Sequence, residues 1–122
     1  MNIKSVLTLS LVLGSPLGIA ECVGPEAPSL PDGTSSTMQD MIAGQTAVKE
    51  FQAANIEYMG CLEKVIAAAE AAGQEGSDED KAAAEAAFTE ANNEYNSAVS
   101  KEEEVAGQFN TEIREYKAAN PG

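Results

Sequence analysis

The chain has no histidine, no tryptophan and only two cysteines among its 122 residues. Without histidine, neither a Ser-His-Asp nor a Cys-His catalytic arrangement can be assembled. The cysteines, Cys22 and Cys61, are too far apart to form a redox C-x-x-C motif. Aromatic side chains are scarce, with three Tyr and three Phe. A small domain with so few large side chains has a thin core and is expected to need a supplement such as a disulfide. Basic residues are few, 7 Lys and Arg against 20 Asp and Glu, for a net charge of −13. That balance opposes binding to nucleic acid or to anionic lipid, and favours solubility, cations or a basic partner. No β pattern competes with the helical one described below.

The N-terminus reads as an export signal. Lys4 supplies a weakly positive start, residues 6–13 are a short apolar run, and Gly18-Ile19-Ala20 offers small residues where a signal peptidase reads. The run is too short for a permanent anchor, and no later segment is apolar enough to span a membrane. Cleavage after Ala20 would remove Lys4 and keep every acidic residue, leaving a mature chain of net charge −14. The alternative is a lipoprotein acylated on Cys22, although Glu21 stands where a small residue is needed.

The remainder divides simply. Residues 21–36 form an arm with Pro25, Pro28 and Pro31 at the three-residue spacing of polyproline II. Pro31-Asp32-Gly33 reads as a turn. Ser36 with Gln39 resembles a capping box and opens a helix expected over residues 37–72. Gly73 is placed to end it, residues 73–76 make the connection, and Ser77 with Asp80 caps a second helix running to residue 119. Residues 120–122 are a short tail. In the first helix Met41, Val48, Asn55, Leu62 and Ala69 recur every seven residues, beside Gly44, Phe51, Tyr58, Val65 and Ala72. In the second, Phe88, Tyr95, Glu102, Phe109 and Tyr116 recur at the same interval, beside Ala91, Ala98 and Val105. Sustained heptads joined by a short connection define an all-α fold: two long antiparallel helices in a coiled-coil hairpin. Folding about Glu75 sets Leu62 opposite Phe88, Asn55 opposite Tyr95, and Met41 opposite Phe109.

The cysteines can be placed on this frame. From Thr37 to Cys61 the helix rises about 36 Å, and from Cys22 to Ser36 a polyproline arm spans about 43 Å. An arm running back along the first helix therefore reaches Cys61, and an exported chain with two cysteines is expected to pair them. The rival arrangement pairs each with another molecule. Polar residues interrupt the seam at Asn55, expected to bond the Tyr95 hydroxyl, and at Glu102, expected to pair with Lys49. Gly60 is expected to let the arm lie close to the helix. Gly107 has no assignable role.

Candidate chemistry is sparse. Glu102-Glu103-Glu104 offers paired carboxylates, but a two-helix hairpin is expected to have no cleft that would raise their pKa. Asp78, Glu79 and Asp80 cluster near Glu75, and calcium takes oxygen ligands, yet the spacing matches no EF-hand loop. Helix capping accounts for these acids. No catalytic, cofactor-binding or metal-ligating residues are assigned.

Cys22 with its spaced prolines, Pro31-Asp32-Gly33, Ala47-Val48-Lys49 with Phe51, Asn55, Tyr58, Cys61-Leu62-Glu63, Tyr95-Asn96, Val105-Ala106 and Phe109-Asn110 together resemble a group of small uncharacterised exported helical proteins of Gram-negative bacteria. The resemblance covers nearly all of the mature chain. It implies export and a paired Cys22 and Cys61, and brings no activity with it.

Two classes of function follow. The first is a non-enzymatic structural or protein-interaction module of the periplasm or exterior. Its long helix faces or its Pro-rich arm would meet a protein partner or a second copy, with no nucleic acid, membrane insertion or small-molecule ligand expected. The alternative is an acidic cation-binding periplasmic protein.

Overall fold

The computed structural model describes residues 21–122; the expected signal segment lies outside them. Two helices, α1 (Met38–Ala72) and α2 (Asp78–Ala119), pack against each other as a helical hairpin, and the described residues contain no strand.

Both helices begin on capping boxes. At α2 the pair is Ser77 and Asp80, as the sequence indicates. At α1 it is Thr37 and Asp40, one residue beyond the expected Ser36 and Gln39. The Thr37 hydroxyl oxygen accepts from the Asp40 amide at 3.2 Å, while the Asp40 carboxylate accepts from the Thr37 amide at 2.9 Å. A carboxylate accepts such a bond more strongly than a Gln amide oxygen does, which favours the later box.

The heptad rows become the core. Met41, Val48, Phe51, Leu62, Val65 and Ala69 of α1 are buried against Ala84, Ala91, Ala98, Val105 and Phe109 of α2. The layers thin from phenylalanine at one end to alanine at the other, where Ala69 and Ala84 line the same groove. Small side chains there let the backbones approach and favour helix outright.

The register differs from the expected one by three residues. Asn55 meets Ala98 rather than Tyr95, and a Cβ on Gly44 would lie 3.1 Å from the Phe109 ring. The reason lies in the connection. Gly73 stays in the right-handed helical region (φ −69°, ψ −15°) and continues the path of α1. The chain reverses at Gly76, whose φ of +100° only glycine adopts readily. Moving the pivot from Glu75 to the Gly76–Ser77 link moves every facing pair.

The arm departs furthest from expectation. It runs back along α1, but it also touches α2, filling one groove of the hairpin. A Cβ on Gly24 would lie 3.2 Å from the Tyr58 ring, and one on Gly44 would lie 2.7 Å from Pro31. Leu30 packs on the cluster of Met41, Val48, Phe51, Val105 and Phe109, together with Ile113 and Tyr116. At the turn, Gly33 is buried and lies directly on the α2 backbone. A Cβ there would overlap the Glu112 carbonyl and stand 2.8 Å from the Tyr116 amide nitrogen. Gly60, by contrast, faces open space and gives the arm no close approach, as does Gly107.

Candidate functional site

Cys22 and Cys61 are joined, with their Cα atoms 5.6 Å apart. No free cysteine remains among the described residues. Cys61 belongs to the helix row that also holds Asp40 and Ala47, and these two line a groove with Pro31 and Leu30 of the arm. The bridge therefore draws the arm into the groove on that side. Pro25, Pro28, Leu30 and Pro31 are half-buried there, while Val23, Glu26, Ala27 and Ser29 face outward. The three-residue spacing puts the prolines on the inner side of the arm. They rest half-buried against the helices.

Asn55, 2 % exposed, is the buried polar residue among the described residues. Its Nδ2 donates to the Ala98 carbonyl at 3.0 Å, and among the described residues no buried side-chain polar atom is left unpartnered. The expected bond to Tyr95 is not made, because the shifted register places Ala98 opposite. The Tyr95 hydroxyl donates instead to Glu63 at 3.3 Å. A matching bond joins the Tyr58 hydroxyl to Glu94 at 3.1 Å. Burial, then the Glu94 carboxylate, raise the Tyr58 pKa, so this phenol stays a neutral donor and serves as a cross-link between helices.

The hairpin was expected to lack a cleft, but the arm creates a shallow open one. Gly24, Pro25 and Glu26 wall it on one side, and Asn55, Tyr58, Glu94, Ser97 and Lys101 on the other. Within it Asn55 is committed to the Ala98 carbonyl, and Tyr58 to Glu94. The carboxylates singled out in the sequence do not converge. Glu102 is half-buried, while Glu103, Glu104 and Asp78, Glu79 and Asp80 are exposed. Asp80 is occupied with its cap.

A different acidic group forms where the arm meets α2. Oxygen atoms of Asp32, Glu112 and Glu115 lie within 4.8 Å of one another. The Gly33 amide donates to Glu112 Oε2 at 3.2 Å, and Asp32 Oδ1 accepts from the Thr34 amide at 2.9 Å. The neighbouring charge of Glu112, then burial and Asp32, raise the Glu115 pKa, with Arg114 opposing. Hydrogen bonds from the Thr34 hydroxyl and amide hold Asp32 low. Sequence reasoning missed this cluster. The sequence carries no signal for it, because the cluster depends on the turn at residues 31–33 resting on α2, which the arm's pattern does not indicate.

None of the described residues covers the groove opposite the arm. Ile42 and Ile56 are 55 % and 61 % exposed there, with Met38 at 58 % at its end. Met59, Ile66, Val99 and Ile113 are half-exposed. No helix of the described residues is long and apolar enough to cross a membrane. The Cys22–Cys61 bridge fits an oxidising compartment. No family model, curated protein or solved structure matches this chain.

Proposed function

We propose that this protein is a non-enzymatic structural or protein-interaction module, exported to the periplasm or beyond the cell. It works as an antiparallel helical hairpin whose Pro-rich arm is a strap and whose opposite face meets a partner. The observation that carries this reading is the asymmetry of the two grooves. One is filled by the arm, and the other leaves Ile42 and Ile56 more than half exposed. Side chains of that size in a row on one helix face are the feature expected of an interaction surface. The arm is the poorer recognition element, since its prolines already rest on the helices.

A photo-crosslinking residue placed at Ile56, and separately at Ala27 on the outer side of the arm, tests this in the exported protein. Adducts at position 56 and none at position 27 support the reading. Adducts at position 27 alone, or at neither position, overturn it.

The second reading, an acidic cation-binding protein, draws on the convergence of Asp32, Glu112 and Glu115. Three carboxylates supply fewer oxygens than the six to eight that calcium takes, so water would have to complete the shell. A melting temperature raised by millimolar calcium and unmoved by equal ionic strength of sodium, with the rise lost in Glu115→Gln, supports this reading. Equal effects of the two salts reduce it to screening.

A further inference from the structure

The uncovered face carries a charge pattern that specifies its own partner. Met41, Val48, Asn55, Leu62 and Ala69 lie seven residues apart, and each is buried. The row one position on, holding Ile42, Lys49, Ile56 and Glu63, therefore also keeps to a single face, and all four are exposed. Lys49 and Glu63 stand on either side of Ile56, each about 10.5 Å away by helix rise. Reversing this row about Ile56 exchanges the positions of the two charges.

We propose that the occupant of this face is a second copy of the chain, related by a two-fold axis that crosses α1 at Ile56. The proposal rests on the interaction reading above and names its partner. Under that axis Ile56 packs on Ile56 of the second copy, and Lys49 meets Glu63 of the second copy twice over. An isologous interface needs a patch complementary to itself, and this row is one. The same axis crosses α2 near Asn96, because Asn55 faces Ala98. There it sets Glu103 against Thr89, so no two carboxylates of the face are brought together. The acidic excess of the mature chain lies mainly elsewhere: Lys49, Glu63 and Glu103 are the charged residues along the central part of this face. The area also suffices. A hairpin face about 52 Å long and about 20 Å wide offers roughly 1,000 Å², against about 800 Å² per partner in a standard interface. The product is a four-helix bundle with both arms on its outer sides.

The test is sedimentation equilibrium of the oxidised chain beginning at Glu21, at about 0.15 M salt, where the Debye length of about 8 Å screens the distant charges. The wild type should be dimeric. Lys49→Glu and Glu63→Lys should each weaken association by about tenfold or more, since each turns two attractions into two repulsions. The double variant should regain the wild-type affinity to within about threefold. Both positions are exposed, and circular dichroism of each variant should show unchanged helix. A chain that stays monomeric at about 1 mM overturns the proposal, as does a dimer indifferent to the single charge reversals. Failure of the dimer together with adducts of another protein at position 56 leaves the interaction reading standing. Failure of both removes it as well.

Discussion

Gly33→Ala tests the seating of the arm at the point where no side chain fits. The added Cβ would coincide with the Glu112 carbonyl and stand 2.8 Å from the Tyr116 amide nitrogen. Both are helix backbone atoms of α2, held by the helix ladder, so the turn must move instead. Moving it breaks the bond from the Gly33 amide to Glu112, 3.2 Å long. A hydrogen bond to a charged acceptor contributes about 1.5–3 kcal/mol at most, and less at a partly exposed site such as this. Lifting the turn also loosens Leu30 and Pro31 from the Phe109 end of the core. The loss is bounded, because the disulfide and the α1 cap still hold both ends of the arm. A destabilisation of about 2 kcal/mol follows, and about 10 °C in melting temperature for a domain of this size. Urea melts followed by circular dichroism read the free energy, and amide exchange reads the arm. The amides of residues 33–36 should lose protection before those of α1 do. A variant within about 0.5 kcal/mol of the parent, with protection retained at residues 33–36, would refute the close seating of the turn on α2.

The other glycines and the titrating groups give further expectations. Gly60→Ala and Gly107→Ala meet nothing within 4 Å, so each should stabilise by about 0.5–1 kcal/mol through helix propensity; a loss at either position in urea melts contradicts the open environment. Cys61→Ser opens a bridge with a sequence separation of 39, and should lower stability by about 4 kcal/mol in the chain-entropy model while far-ultraviolet dichroism keeps most of its helix signal. Glu115 has a folded pKa above its ordinary 4.5, so the folded state binds that proton more readily and stability rises as pH falls through the raised value. Asp32 and Asp40 lie below their ordinary 3.8, so their contributions hold above that value and are lost as pH falls through the lowered ones. In low salt the melting temperature should therefore climb as pH falls through the raised Glu115 value towards 4.5 and drop as pH falls below 3.8, with Glu115→Gln flattening the climb. A steady fall from pH 8 downward contradicts this.

The hairpin was legible because its signal is periodic. Every member of the row Met41, Val48, Asn55, Leu62 and Ala69 is buried, and in the second helix Ala91, Ala98, Val105 and Phe109 are buried as expected. The pairing of Cys22 with Cys61 was legible because two reach estimates agreed. The register was not, since it hinged on whether Gly73 or Gly76 left the helical region. That choice shifts the facing pairs by three residues without disturbing either heptad row. The arm's second contact was hidden for another reason. An extended segment has no periodicity that points it at one helix or two, and burial of Gly33 depends on α2 outlasting α1 at that end. The cluster of Asp32, Glu112 and Glu115 follows from that packing, and so could be found only after it.

The position of one cysteine decides which face of the hairpin stays open. Cys61 lies in the row that flanks the seam on the same side as Ala47, and the arm must fill the groove on that side to reach it. Had the cysteine stood at Met59, on the other flank, the same arm of equal length would have run along the side of Ile56, and the groove beside Ala47 would have been bare. The sequence agrees with the choice made. Beneath the arm the flanking row of α1 is small at Ala47, which lines the groove with Leu30 and Pro31. On the open side it is large, with Met59 and Ile66 half-exposed. Small residues under the strap and bulky apolar ones away from it are what a hairpin needs if one groove is closed within the molecule and the other is closed by association. A chain meant to stand alone gains nothing from Ile42 and Ile56 in water, since surface isoleucines add aggregation risk without burial. Their retention opposite the strap is the reason to look for the second copy there.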